Sequence, residues 1–218
     1  MRACIVGAGP HGRVILDILR AQRRCDVEFA DDNETLWGQT VNGARVTGSL
    51  GQVLEQGSDD VAFIIAVGNP TIRLAIAKRI SERARPLLNA VHPSAVVMQS
   101  ATMGEGNMIG ATAVINSGAC LGRHTIVNTG AVVEHDCTVS DGAAVSPGAH
   151  LGGRVTLGYC AFVSTGAIVL SRVSIGAGSI VAAGAVVTRD VPEGVLVMGV
   201  PARVRRCLGT GFDWKSVL

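Results

Sequence analysis

From residue 91 to residue 187 an aliphatic side chain falls at every sixth position without an insertion. The series is Val91, Val97, Met103, Ile109, Ile115, Leu121, Val127, Val133, Val139, Val145, Leu151, Leu157, Val163, Val169, Ile175, Val181 and Val187. Four residues beyond each member stands a small side chain, as at Ala113, Ala119, Thr125, Ala131, Cys137 and Ala143, with Asn107 the outlier. A period of six is neither the 3.6 of a helix nor the two of a flat strand. It predicts a parallel β-helix: each hexad supplies a short strand and a corner, and the aliphatic residue points inward. Three hexads close one coil, so residues eighteen apart stack at about the 4.8 Å strand spacing. Aromatic residues are only 3% of the chain, while 28 of its 218 residues are glycine. Such a core must be filled by Val, Ile, Leu and Ala, which suits thin repeated layers. Glycine tolerates the corner dihedrals.

The chain before the repeat reads differently. Residues 2–6 form a buried strand ending in glycines, and residues 11–23 place Val14, Ile15, Ile18 and Leu19 on one helical face. Cys25–Ala30 predicts a second strand and Val61–Val67 a third, stopped by Gly68, Asn69 and Pro70. Thr71–Ala84 follows as a basic amphipathic helix with Ile72, Ala75, Ile76 and Ile80 on its apolar face. Alternating strand and helix predicts a small Rossmann-like parallel sheet. The domains are therefore placed at 1–88 (α/β), 89–200 (β-helix) and 201–218 (C-terminal tail).

Several classes are excluded early. The formal net charge is +2, too small to call for nucleic acid or an anionic membrane. The apolar run at the N-terminus is too short for a signal peptide, and no stretch reaches transmembrane length, so a cytoplasmic location is expected. The six cysteines include no Cys-x-x-Cys and read as reduced thiols packed like small apolar residues. The separations among His124, His135 and His150 put no two of them in one column, so no metal is expected.

Gly7-Ala8-Gly9-Pro10-His11-Gly12 fits G-x-G-x-x-G between a strand and a helix, with Asp31 and Asp32 about 24 residues on. Such a loop turns backbone N–H groups toward a pyrophosphate at a helix N-terminus. Pro10 suits the first turn, where its missing N–H costs nothing. The domain ends near residue 85, half a dinucleotide fold, so it has room for one nucleoside diphosphate and not for NAD. The alternative is a plain tight turn with His11 solvated.

The repeat [Leu/Ile/Val]-Gly-x-x-Ala-x resembles the left-handed β-helix of hexapeptide acyltransferases; the usual crossover rule would give the other hand. Added to it are Ile-Val-Gly-Ala-Gly-Pro-His-Gly at 5–12, the Asp31–Asp32 pair, Val-Glu-His-Asp at 133–136 and Met-Gly-Val-Pro-Ala at 198–202. Together these resemble the family of sialic acid O-acetyltransferases and bacillosamine and perosamine N-acetyltransferases, over nearly the whole chain. The resemblance implies a homotrimer active in O-antigen or other polysaccharide biosynthesis, with acetyl-CoA in a groove between two prisms. It implies N-acetylation of the 4-amino group of a nucleotide-linked 4-amino-4,6-dideoxy sugar. A sialic acid O-acetyltransferase, or a non-catalytic sugar-nucleotide-binding scaffold, stays open as an alternative.

The resemblance also assigns residues. His135 is the general base and Asp136 its partner; imidazole has the right proton affinity to take a proton from an incoming amine. Side chains adjacent on a strand point apart, so the pair requires a corner at residues 135–136. The oxyanion falls to the backbone of Gly153, one coil beyond His135. Cys137 is read as core, so transfer is direct, without an acyl-enzyme. Gly9, Pro10, His11, Asp31, Asp32, Gly68, Asn69, Asn128 and Glu134 are expected to hold the sugar nucleotide. Thr165 and Ala183 are expected to line the pantetheine groove, with Arg203 near the CoA phosphates. Ala144 stands where many members carry a second histidine, which affects only a CoA contact. Phe212 and Trp214 are read as covering the coil end or packing on a neighbour.

Overall fold

A computed structural model describes residues 2–56 and 60–209. Phe212 and Trp214 lie outside the described residues. The chain divides into two compact units, Met1–Pro93 and Ser94–Leu218.

In the first unit, strands β1 (Arg2–Val6), β2 (Val27–Ala30), β3 (Thr40–Val41), β4 (Ala44–Gly48) and β5 (Val61–Ile65) form one sheet in the order β3-β4-β2-β1-β5. All its pairings are parallel except the β3–β4 hairpin. The helices are α1 (Pro10–Ala21), α2 (Leu50–Gln56) and α3 (Pro70–Ser81). Strand β1 and the terminal strand β5 are buried on both faces, which is why Cys4-Ile-Val and Val61–Ile65 are continuous apolar runs. The β3–β4 hairpin and α2 are absent from the sequence prediction. Their signal was present: Asn42-Gly43 takes positive φ at both positions (46° and 78°), as a type I′ turn requires, and burial alternates strictly along β4.

The helix faces are shifted from those expected. On α1 the buried stripe is Gly12, Ile15, Leu16, Ile18 and Leu19, while Val14 is 43% exposed. On α3, Pro70, Arg73, Ala77 and Ile80 are buried and Ile72 is 50% exposed. Arg73 turns inward because it has partners there. Its Nη1 donates to the carbonyls of Val67 (2.8 Å) and Gly68 (2.7 Å), which close the loop after β5.

Each of the seventeen repeat aliphatics ends a two-residue strand, β6 (Ala90–Val91) through β22 (Val186–Val187). In the second unit the strands pair parallel with a register of eighteen residues, as Val114 with Val132 and Val132 with His150. Three sheets result, carrying Ile115, Val133 and Leu151; Leu121, Val139 and Leu157; and Val127, Val145 and Val163. From Ile109 to Val187 every inward aliphatic is at most 4% exposed. The small position four residues on is buried as well, because the chain crosses the interior edge there. One residue earlier the backbone takes positive φ, at Gly118, Gly130 and Gly142 but also at His124, Asp136 and Arg154. That is the second central residue of a type II-like corner.

Asn107 occupies a small position and is fully buried. Its amide donates to the carbonyls of Gly104 and Gly122 (3.0 Å each), and its oxygen accepts from the Thr125 amide (2.7 Å) and hydroxyl (3.0 Å). Beyond the last hexad, β23 (Val195–Met198) stacks parallel on Ile180–Val181, and β24 (Arg203–Cys207) pairs antiparallel with β23.

Candidate active site

His135 and Asp136 stand at a corner, where Asp136 adopts φ 57°. The turn removes the strand geometry that would point the two side chains apart. His135 Nδ1 lies 3.0 Å from Asp136 Oδ2. The hydrogen bond from His135, and then the charges of His135 and Arg154, hold the Asp136 carboxyl below the usual range. An ionised Asp136 accepts, so the His135 Nδ1–H donates to it and the Nε2 edge of the ring is left facing away from the carboxylate. Glu134 is fixed beside them, its Oε2 accepting from Asn116 Nδ2 (3.0 Å) and from the His135 amide (3.2 Å).

Two glycines make room for this pair. A Cβ on Gly153 would lie 2.5 Å from His135 Nε2 and 2.7 Å from Cε1, so the imidazole packs on bare backbone one coil along. A Cβ on Gly118, one coil earlier, would lie 2.7 Å from Asp136 Oδ1. Cys137 is buried, its thiol donating to the Gly152 carbonyl at 3.2 Å, and burial pushes the thiol up. It faces the interior of the coil.

Asn128, Thr165 and Ala183 occupy another corner, after the strands at Ile126–Val127, Phe162–Val163 and Ile180–Val181. Asn128 Oδ1 accepts from the Thr129 amide (2.8 Å), and Thr165 and Ala183 are exposed, stacked eighteen residues apart. The fold does not bring this corner to His135 within one prism. Ala144 is 2% exposed on the sheet between Ile126 and Phe162, also away from His135. Arg203 lies on the exposed β24, with Arg205 and Arg206 on the same strand.

In the first unit, α1 starts at Pro10 with Gly9 as an exposed N-cap. Gly12 is indispensable, since a Cβ there would overlap the Gly7 carbonyl oxygen and stand 3.1 Å from Phe29. Asp31 serves the loop itself: Oδ2 accepts from the Ala8 amide (2.7 Å) and Oδ1 from the Asn33 amide (2.9 Å). Asp32 is the exposed member of the pair, its Oδ1 accepting from the Leu50 amide at 3.3 Å. Asn69 caps α3 through Oδ1, which accepts from Thr71 and Ile72. His11 is not a solvated turn residue. Burial, reinforced by the Arg73 charge, lowers it to about 4, and Nε2 is buried without a hydrogen-bond partner among the described residues.

Sequence reasoning missed Asn116, Gly118 and Arg154 around the pair. The eighteen-residue step that leads from His135 to Gly153 leads from Asp136 to Gly118 and Arg154, and from Glu134 to Asn116. Among the described residues, no group of three or more His, Cys, Asp or Glu side chains is placed to hold a metal ion.

A prism of six-residue repeats carrying an imidazole–carboxylate pair at one corner is the architecture of a hexapeptide-repeat acyltransferase. Residues 2–80 match the family model described as PglD N-terminal domain. A 109-residue stretch, 48% of this chain, is 42% identical to the UDP-N-acetylbacillosamine N-acetyltransferase of Bacillus subtilis and spans about half (49%) of that protein. Over 94% of the chain the fold matches PerB from Caulobacter crescentus, solved with CoA and GDP-perosamine (35% identity, 98% of that chain, TM-score 0.89). It also matches the acetyltransferase domain of PglB from Neisseria gonorrhoeae, solved with acetyl coenzyme A (34% identity, 98% of that chain, TM-score 0.87). The chain belongs to the left-handed β-helix family of sugar N-acetyltransferases.

Proposed function

We propose that this protein transfers the acetyl group of acetyl-CoA to the 4-amino group of a nucleotide-linked 4-amino-4,6-dideoxy sugar. The observation that carries the reading is the His135–Asp136 pair, ordered at a corner with His135 Nδ1 3.0 Å from Asp136 Oδ2. Relatives bound to CoA and to GDP-perosamine supply the substrate class. Asp136 holds the imidazole, and His135 Nε2 takes a proton from the amine as nitrogen attacks the thioester carbonyl. The Gly153 amide, which donates no hydrogen bond among the described residues, is offered to the developing oxyanion. As the C–S bond breaks, the imidazolium returns its proton to the departing CoA thiolate.

The glycine loop before α1 takes the pyrophosphate of the sugar nucleotide, and Asp32 takes the ribose or base. Asn128 and Glu134 orient the sugar; Thr165, Ala183 and Arg203 contact CoA. The corner of His135 and that of Thr165 are different edges of one prism, so a groove lined by both requires two prisms. One sheet presents an outward column suited to such packing, with Val96 and Ile168 over 40% exposed and Val114, Val132 and Val186 half-buried. A homotrimer, in which each prism meets two neighbours, is the assembly we infer. No helix among the described residues is long and apolar enough to cross a membrane. Free thiols and use of acetyl-CoA favour the cytoplasm.

The test is CoA release against a panel of nucleotide-linked 4-amino sugars and free sialic acid, with His135→Asn alongside. Turnover on an amino sugar, reduced about 10²–10⁴-fold in the variant, is expected. Turnover on sialic acid alone, or a folded variant of full activity, overturns the reading.

A further inference from the structure

Arg154 grips the His–Asp corner twice. Its amide donates to the His135 carbonyl at 2.9 Å, and its Nε lies 3.6 Å from Asp136 Oδ2. That oxygen is the one facing His135 Nδ1, so a single carboxylate oxygen is shared between an imidazole and a guanidinium. One further carboxylate, Glu134, stands beside the ring, its Oε2 accepting from the His135 amide at 3.2 Å. Glu134 and Asp136 flank the ring on its own corner, the coil before supplies Asn116, Ser117 and Gly118, and the coil after supplies Gly152, Gly153 and Arg154. Arg154 is the one cation in that set.

We propose that Arg154 is a positioning residue: by sharing the Asp136 oxygen that faces His135, it fixes that carboxylate and offsets its pull on the imidazole. An unshared carboxylate stabilises the imidazolium and raises the imidazole's proton affinity. A base raised too far is already protonated when the amine arrives. A cation on the same oxygen offsets that pull and also fixes the carboxylate rotamer. Both side chains are about half exposed (56% for Arg154, 54% for Asp136), so the effect is modest and salt-sensitive.

The proposal rests on His135 being the base, and two readouts separate the claims. The His135 imidazole is titrated by NMR in the free protein, and kcat/KM is followed against pH, for wild type, Arg154→Gln and Arg154→Lys. In R154Q the His135 titration is expected to move up by about half a unit at low ionic strength, and the shift is expected to shrink in high salt. The acid limb of kcat/KM moves up by the same amount, about a threefold loss on that limb. R154K keeps the wild-type titration. An unmoved or lowered His135 titration in R154Q overturns the proposal. A raised titration with an unmoved acid limb supports the coupling and overturns His135 as the base.

Discussion

The Nε2 edge of the His135 imidazole rests on Gly153, where a single methyl group would stand 2.5 Å away. The φ of Gly153 lies outside the left-handed region, so alanine meets no backbone strain there. Gly153→Ala is therefore expected to fold and to displace the ring. A displacement near 1 Å costs about 10²-fold in kcat/KM. A thermal melt close to wild type with that loss, read by CoA release, checks it.

Asp136→Asn removes the charge that favours the imidazolium. The acid limb of the pH–rate profile is expected to move to lower pH, opposite in sign to R154Q, while the plateau falls as the ring loses its fixed tautomer. Asp136 itself is held below the usual carboxylate range, so it stays ionised across neutral pH and adds no limb of its own there.

Cys137→Ala separates direct transfer from an acyl-enzyme. The thiol lies in the interior, so the variant is expected to retain turnover and to lose about 1 kcal/mol of stability. Native protein is expected to resist alkylation at this residue, mapped by mass spectrometry.

Asn107→Ala strips four hydrogen bonds from the buried interior of the coil. The carbonyls of Gly104 and Gly122 and the Thr125 amide lose their side-chain partner, a cost of about 2 kcal/mol or more. Urea unfolding measures it, and activity of the folded fraction is expected to persist.

His11 gives the first unit a pH dependence. Its folded value is about 4 against an ordinary 6.5, so the unfolded chain takes up the proton first. Stability is expected to be full above pH 6.5 and to fall as pH drops from there toward 4. In His11→Asn that slope flattens, as urea titrations at several pH values would read.

The repeat was legible because every hexad makes the same choice, an aliphatic inside and a small residue at the closing edge. The His–Asp pair was legible through the resemblance at Val-Glu-His-Asp, and it required the corner that Asp136 is found to make at φ 57°. Arg73 was not. Its burial depends on two carbonyls at the end of β5, a tertiary feature that overrides the apolar phase of α3 and leaves Ile72 outside. The type I′ turn at Asn42-Gly43 was visible but sat between short, weakly apolar segments. Asp31 illustrates a different loss: the spacing marks an acidic residue after the glycine loop, but only coordinates reveal that Asp31 ties down Ala8 and leaves Asp32 exposed.

The pairing of Val132 with His150, and of each residue with one eighteen further on, also limits how such a chain can change its length. Losing six residues between Asp136 and Gly153 would still leave an unbroken pattern of aliphatics, yet every later corner would rotate by one side of the triangle. A bulkier corner would then stack on the imidazole. Only gains or losses in whole turns of the spiral preserve the chemistry, so natural variation in length should come in steps of three hexads on the C-terminal side of the base.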